Sequence, residues 1–141
     1  MKNENIYKTF VYYEDTDAAG IVYHTSYLRF AERARTEFLN NIYPECLTLL
    51  KKNRNVLVLR DIKVKFCEFC YLFDKVYVKS YITELRKTHF KMNQIIKKEC
   101  TVVCDISLSL VFVNLLKKKP VKMDEELVSR LEKTMYKQNH G

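Results

Sequence analysis

The stretch YYEDTDAAGIVYHTSYLRFAERARTEFL, residues 12–39, contains the features that decide the fold. It begins with aromatic residues typical of a strand and ends with the apolar periodicity of an amphipathic helix. Between the two lie Asp15, Asp17, His24 and Gly20, the first of the chain's two glycines. Two acids on a turn that leads into a helix require either a structural or a chemical explanation.

The second half of this stretch predicts a helix from about Thr25 or Ser26 to Asn40. The hydroxyls of Thr25 and Ser26 are suitable N-caps. Residues spaced by three and four form one apolar face, which two leucines widen: Tyr27, Phe30, Ala31, Ala34 and Phe38, with Leu28 and Leu39. Because this apolar arc is wide, we expect the helix to be mostly enclosed by the rest of the protein.

The remainder of the chain is dominated by strand patterns. Residues 6–13 predict a first strand, and alternation from Val56 onward predicts four more. These four read VLVLRDIKVKF, DKVYVKSYITEL, THFKMNQIIK and CTVVCDISLSLVFVN. A short helical turn is predicted after Pro44, and a C-terminal helix from Asp124 to about Tyr136. The order predicts one α+β domain over residues 1–141, with a five-stranded antiparallel sheet wrapped around a central helix: the hot-dog fold.

Composition bounds the classes of partner. The formal charge is +8, from 25 Lys and Arg against 17 Asp and Glu. Such a charge favours anionic partners, including an acidic membrane surface in a peripheral association, but it also fits evenly solvated lysines. Without an aromatic and basic recognition motif, we expect no nucleic-acid partner. We see no signal-peptide pattern and no apolar run of about 18 residues, so we expect a cytoplasmic protein without a transmembrane segment.

Five cysteines raise the question of a metal site. The pairs Cys67-x-x-Cys70 and Cys100-x-x-x-Cys104 have spacings that zinc sites use. Aromatic residues crowd the first pair, and neither pair has the glycine-containing turn that usually lets a chain fold around zinc. Free cysteine is also commonly a small buried hydrophobe. We therefore predict reduced thiols, no metal and no cofactor.

The two acids of the turn receive different interpretations. For Asp15 we favour a structural role in shaping the turn and complementing the positive end of the following helix. Asp17 lies beside small residues, and Gly20 permits a positive φ or close approach of a ligand to the backbone. A carboxylate that faces free helix N–H groups can attack a carbonyl carbon, or activate water to do so, while those N–H groups hold the carbonyl oxygen.

Residues 12–39 resemble the signature of the 4-hydroxybenzoyl-CoA thioesterase-like hot-dog enzymes. The resemblance is closest to the bacterial branch associated with the Tol–Pal system, which hydrolyses acyl-CoA thioesters. That signature runs Y-Y-E-D-T-D-x-x-G-x-V-Y-H-x-x-Y and ends in E-R-A-R, which this chain matches almost letter for letter. The rest of the chain resembles the family more loosely. The family often has Ala-Pro ahead of the second long strand, where this chain has CEFCYLFD.

The resemblance implies roles for individual residues. Asp17 matches the catalytic carboxylate, while Tyr13 and His24 match the active-site tyrosine and histidine. The backbone N–H at about His24 matches the group that polarises the thioester carbonyl. Gly20, Tyr23 and His24 are expected beside the substrate, although Tyr23 also suits simple packing. Tyr13 would hold Asp17 or the attacking water, and His24 would orient water or transfer a proton.

The end of the signature contributes Glu32 and Arg35. By helical angle Arg35 falls inside the apolar arc, so its guanidinium needs a partner, and Glu32 three residues earlier is the nearest candidate. We interpret this pair as structural support for the helix.

The leading functional hypothesis is an acyl-CoA thioesterase of lipid metabolism that forms a homo-oligomer, a dimer or a tetramer. Acyl carrier protein thioesters are a second class of donor. Two alternatives stay open: a hot-dog dehydratase or hydratase, which needs a histidine and a carboxylate about the β-hydroxyacyl group, and a non-catalytic module that binds acyl chains or anions.

Overall fold

The computed structural model describes residues 5–140. Residues 1–4, which belong to the segment searched for a signal peptide, lie outside the described residues. The elements in chain order are β1 (Ile6–Phe10), a single 3₁₀ turn (Tyr13–Asp15), α1 (His24–Ile42), α2 (Cys46–Asn53), β2 (Asn55–Phe66), β3 (Lys75–Leu85), β4 (His89–Lys98), β5 (Thr101–Asn114), β6 (Lys119–Pro120) and α3 (Glu125–His140).

The five predicted strands and three predicted helical segments are confirmed, and the two-residue strand β6 adds a short pairing to β5. The predicted N-caps of α1 are wrong. The helix begins at His24, so Thr25 and Ser26 lie inside its first turn. The Ser26 hydroxyl donates instead to the carbonyl oxygen of Asp15, eleven residues earlier.

The strands form one sheet whose spatial order is β1-β3-β4-β5-β2, and β6 pairs with β5. Strands β1 and β3 pair antiparallel, with Ile6 opposite Lys79 and Phe10 opposite Lys75. Strand β2 stands at one end of this order, where a strand has a free edge. No helix among residues 5–140 is long and apolar enough to cross a membrane.

The chain divides into two compact units. The first contains the residues up to Phe38, Val64–Ser80 and Gln94–Ile106, and the second contains Leu39–Lys63, Tyr81–Asn93 and the residues from Ser107 onward. The acidic turn and most of α1 belong to the first unit. Organisation as one domain stays a prediction.

In the first unit, the apolar face of α1 is buried as its periodicity predicts. Phe30, Ala31, Ala34 and Phe38 are almost completely inaccessible. Burying a side chain as large as phenylalanine contributes about 1.5 to 3 kcal/mol. Because this face is buried, only the opposite face of α1 can contact solvent.

In the second unit, α3 is held by its buried leucines, Leu127 and Leu131, and by side-chain bonds to backbone groups. The Gln138 amide bonds both the N–H and the carbonyl of Ile82, each at 2.9 Å. The Arg130 guanidinium donates to the carbonyl oxygen of Ile42 at 2.8 Å. Apolar packing and satisfied backbone groups therefore act together in this unit.

A buried amide joins α1 to the sheet in the first unit. Gln94 of β4 is fully buried, and its Nε2 donates to the Ala31 carbonyl at 2.9 Å and to Ser80 Oγ at 3.1 Å. Its Oε1 accepts a bond from Arg35 at 2.9 Å. Gln94 therefore satisfies a helix carbonyl, a strand hydroxyl and a guanidinium at once.

The hydrogen-bond partner of Arg35 is thus Gln94, and the predicted pairing with Glu32 needs correction. Glu32 is exposed to solvent. Burial lowers the pKa of the Arg35 guanidinium, and the nearby charge of Glu32 partly opposes that effect. The charge of Glu32 therefore favours the charged form of Arg35 from a distance, while Gln94 makes the direct hydrogen bond.

Replacing Gln94 with methionine keeps the volume but removes every polar atom of the side chain. Because the Arg35 guanidinium loses its acceptor and the Ala31 carbonyl loses one of its donors, we expect Gln94→Met to lower the free energy of unfolding by about 1 to 3 kcal/mol. Urea denaturation measures this change. Lys91→Met, on the exposed side of the same strand, is the control and should have little effect. Equal stability of the two variants would show that the Gln94 contacts do not stabilise the fold.

Candidate active site

Asp15 fixes the acidic turn to the first turn of α1. Its carboxylate is 2% exposed, accepts the Tyr12 N–H at 2.9 Å and lies 3.9 Å from the Arg29 guanidinium. Its backbone carbonyl accepts the Tyr23 N–H at 2.9 Å and the Ser26 hydroxyl at 3.0 Å. The predicted structural role of Asp15 is therefore confirmed.

Asp17 follows in a tight turn of its own. Its Oδ1 accepts the Ala19 N–H at 2.8 Å, its carbonyl accepts the Gly20 N–H at 3.0 Å, and its N–H donates to the Ile21 carbonyl at 2.9 Å. Gly20 adopts a φ of 81°, as predicted. A Cβ at Gly20 would meet no atom within 4 Å, so backbone conformation rather than space explains the glycine. These bonds hold the half-buried Asp17 carboxylate in one place.

The Asp17 carboxylate opens onto a cavity of about 350 Å³ within the first unit. Its other walls are mostly apolar or aromatic and include the beginning of α1. The lining residues are Asp17, Ile21, Val22, Tyr23, His24, Tyr27, Phe66, Cys67, Glu68 and Phe69. Two acidic residues, Asp17 and Glu68, therefore line a cavity that is otherwise largely apolar, and a few polar groups among apolar walls are typical of a small-molecule site.

His24 is the first residue of α1 and brings the helix N-terminus to this cavity. In the described part of the chain its backbone N–H has no acceptor, as expected for the first amide of a helix. The 19-residue helix adds its positive N-terminal end. The imidazole lies against the Tyr23 ring, with centroids 4.3 Å apart, and meets the edge of Phe66 at 6.4 Å.

The structure brings together three of the predicted site residues, Asp17, Tyr23 and His24, in one cavity wall. Gly20 contributes through the turn conformation rather than as a wall. Tyr13 lies in the 3₁₀ turn, is 83% exposed and is not among the residues that line this cavity. Within one chain, Tyr13 is therefore separated from the cavity, and its catalytic role stays a prediction.

The cavity has a further wall that none of the predicted site residues forms. Phe66, Glu68 and Phe69 come from the end of β2 and the segment after it. Tyr27 bridges to this wall because its hydroxyl reaches the Glu68 carbonyl at 3.5 Å. Burial raises the pKa of the Tyr27 phenol, which therefore stays protonated and uncharged. The departure from the family at CEFCYLFD was the available signal, since this segment contributes Cys67, Glu68 and Phe69 to the wall.

The cysteines differ in exposure. Cys67 and Cys100 are exposed, whereas Cys46, Cys70 and Cys104 are buried. Burial raises the pKa of the Cys46 thiol to about 11 and that of Cys104 to about 12, so both remain protonated at neutral pH. Across residues 5–138, whose side chains the structure describes, no three His, Cys, Asp or Glu side chains lie together as a metal site requires.

Known proteins match this chain over most of its length. The family model of the thioesterase-like superfamily matches residues 11–131. The acyl-CoA thioester hydrolase YbgC of Escherichia coli O6:H1 is 36% identical over 123 residues, which cover 86% of this chain and 91% of that protein. The acyl-CoA thioesterase YbgC of Haemophilus influenzae is 33% identical over 117 residues, which cover 83% of this chain and 86% of that protein.

A solved structure extends the likeness to the backbone. The Staphylococcus aureus protein SAV2348, determined in complex with CoA, superposes with a TM-score of 0.88 over 94% of this chain and 84% of that chain. Sequence identity is 13%, so this likeness shows the fold alone. Together with the family match, it confirms the predicted α+β hot-dog fold.

Proposed function

The chain belongs to the thioesterase-like superfamily, and we propose that it hydrolyses the thioester of acyl-CoA to a free acid and CoA. The observation that carries this proposal is that Asp17 and His24, the first residue of α1, both line one cavity. A thioester carbonyl needs two things there: a nucleophile at carbon and donors at oxygen. Asp17 and the start of α1 supply one each.

The reaction follows from the polarity of these groups. The thioester oxygen accepts a hydrogen bond from the His24 N–H, which stabilises the negative charge that develops there. Asp17 either attacks the carbonyl carbon or removes a proton from an attacking water. The C–S bond then breaks, and CoA leaves as a thiolate that takes up a proton. When water attacks, the acyl group departs directly as the acid. When Asp17 attacks, the acyl group first stays on Asp17 as an anhydride, which one water then hydrolyses to the acid and the free carboxylate.

The apolar walls support an acyl substrate. Phe66, Phe69 and Tyr27 offer aromatic surface that an alkyl or aryl chain covers favourably. The uncharged Tyr27 phenol adds no charge to this surface. The cavity volume of about 350 Å³ suits a small or medium-sized acyl group within one chain. We propose CoA as the thiol carrier and acyl carrier protein thioesters as a second class of donor.

We also propose that the protein is a homo-oligomer, a dimer or a tetramer, with each site lined by two subunits. Strand β2 ends the sheet order and exposes apolar side chains at Val58, Leu59 and Ile62. Exposed aromatic residues of the first unit, including Tyr13 and Phe73, add further apolar surface. Surfaces of this kind favour association. Tyr13, which lies outside its own cavity, is then available to the cavity of a partner.

The cellular setting is a further proposal, supported by the close match of residues 12–39 to the family signature. We propose that the chain belongs to the Tol–Pal-associated branch and acts in the cytoplasm in lipid metabolism.

Replacing Asp17 with asparagine tests the proposed chemistry. Asparagine keeps the size and can still accept the Ala19 N–H, but it loses the charge and nearly all the basicity. Because general-base catalysis contributes a factor of about 10² to 10⁴ in rate, we expect Asp17→Asn to lower kcat/KM by a factor in this range or larger. The thermal melting temperature should change little, since a partly exposed acid near a helix N-terminus contributes about 0.3 to 1 kcal/mol. Release of free CoA thiol from several acyl-CoA lengths provides the measurement.

Three further variants are compared with Asp17→Asn. Glu14→Gln removes a charge from the same turn but from an exposed side chain, so activity should be retained. Asp15→Asn is a poorer control because the buried Asp15 carboxylate holds the turn. His24→Ala should cause an intermediate loss, since the backbone N–H survives the substitution. Wild-type rates in Asp17→Asn on every substrate would show that the acidic turn has no catalytic role.

Light scattering tests the assembly. We expect the mass of two or four chains, and we expect Val58→Lys with Ile62→Lys to yield monomers because two lysines block pairing at the β2 edge. If sites are shared, these monomers lose thioesterase activity. Val102→Lys, an exposed apolar residue of β5, should leave the oligomer and its activity intact. A stable and fully active monomer would contradict the shared site.

A further inference from the structure

Two leucines lie on the surface of the second unit, at the turn that joins β5 to β6. Leu115 is 50% exposed and Leu116 is 73% exposed. They are followed by Lys117, Lys118 and Lys119, all exposed. Neither the cavity nor the acidic turn uses these residues, so the thioesterase chemistry does not explain them.

The turn is held firmly in place. The Asn114 side-chain oxygen accepts the N–H groups of Leu116 at 3.1 Å and Lys117 at 2.9 Å. The Asn114 carbonyl accepts the Lys118 N–H at 2.8 Å, and Lys118 adopts a φ of 54°. The leucines are therefore displayed by a turn whose backbone groups are satisfied.

The same turn is attached to the end of α2. The Leu115 N–H donates to the Arg54 carbonyl at 2.8 Å, and Asn114 Nδ2 donates to Asn55 Oδ1 at 2.9 Å. This attachment brings the basic end of α2 beside the leucines. We call the combined surface the leucine–lysine patch, which consists of Lys51, Lys52, Arg54 and residues 115–119.

No carboxylate of the described residues forms a salt bridge with the cations of this patch. Among the residues that the structure describes, none of its six cations lies within 4.0 Å of a carboxylate. The acids that follow β6 have other roles. Asp124 accepts the Leu127 N–H at the start of α3, and Glu126 pairs with Arg130 at 2.6 Å. The patch therefore presents apolar and cationic groups side by side.

We propose that the leucine–lysine patch docks the protein onto an anionic phospholipid surface. Leu115 and Leu116 enter the boundary between headgroups and acyl chains, while the six cations contact headgroup phosphates. Neighbouring leucines on a turn suit insertion into lipid. A nucleic acid would instead favour aromatic or free amide side chains, and the Asn114 amide is already occupied. An acidic protein is the competing partner that the experiment must separate.

Vesicle flotation with the full chain tests the proposal. Vesicles of phosphatidylcholine alone are compared with vesicles in which some of it is replaced by phosphatidylglycerol. We expect binding to the anionic vesicles alone. Lys117→Glu with Lys118→Glu should weaken this binding by at least about 25-fold, since each lysine contributes about fivefold. Leu115→Ser with Leu116→Ser should weaken it by at least about tenfold through lost apolar burial.

The control is Lys97→Glu with Lys133→Glu, which changes the net charge equally at exposed lysines outside the patch. It should bind anionic vesicles nearly as the wild type does. Absence of wild-type binding, or equal loss in the control, would overturn the proposal. Loss in the lysine variant without loss in the leucine variant would also overturn it, because it would show adsorption by charge alone without insertion of the leucines. Melting curves establish that each variant is folded.

Discussion

The hydrogen bonds made by Asp15 hold the acidic turn against the start of α1, and these two segments bring Asp17 and His24 to the cavity. Its carbonyl receives both the Tyr23 N–H and the Ser26 hydroxyl, and its carboxylate receives the Tyr12 N–H. The chain on either side of the turn is thereby tied to the start of α1. Because these contacts lie two residues before Asp17, they determine where that carboxylate can stand relative to the helix N-terminus. Asp15 is buried and holds the turn in place. Asp17 is only half-buried and is therefore accessible for chemistry.

The helix that receives these contacts is itself anchored from the sheet. Gln94 binds the Ala31 carbonyl in the second turn of α1 and the Arg35 guanidinium one turn later. With its apolar face buried, α1 has little freedom to rotate or slide. The amide of His24 is therefore oriented before any ligand arrives, and a preorganised donor needs no rearrangement when charge develops on a bound oxygen. The same helix therefore contributes its apolar face to the core and its first amide to the site.

Local sequence predicted the features that depend on periodicity. The apolar spacing of α1, the alternation in β3 and β4 and the positive φ of Gly20 all appear in the structure, whereas β2 has no buried face. The features it could not predict depend on residues distant in sequence. Gln94 replaces Glu32 as the partner of Arg35 across 59 positions, and Ser26 serves Asp15 instead of capping the helix. The Phe66–Phe69 wall likewise becomes part of the site only when the end of β2 reaches the start of α1.

The central claim is that a thioester carbonyl binds between Asp17 and the first amide of α1. A crystal structure of the protein with a non-hydrolysable ketone analogue of acyl-CoA, in which a methylene separates the carbonyl from the sulfur, tests it most directly. We expect the ketone oxygen within hydrogen-bond distance of the His24 N–H, the Asp17 carboxylate facing the carbonyl carbon, and the acyl chain against Phe66 and Phe69. An analogue bound with its carbonyl away from the start of α1, and with Asp17 turned to solvent, would contradict the account.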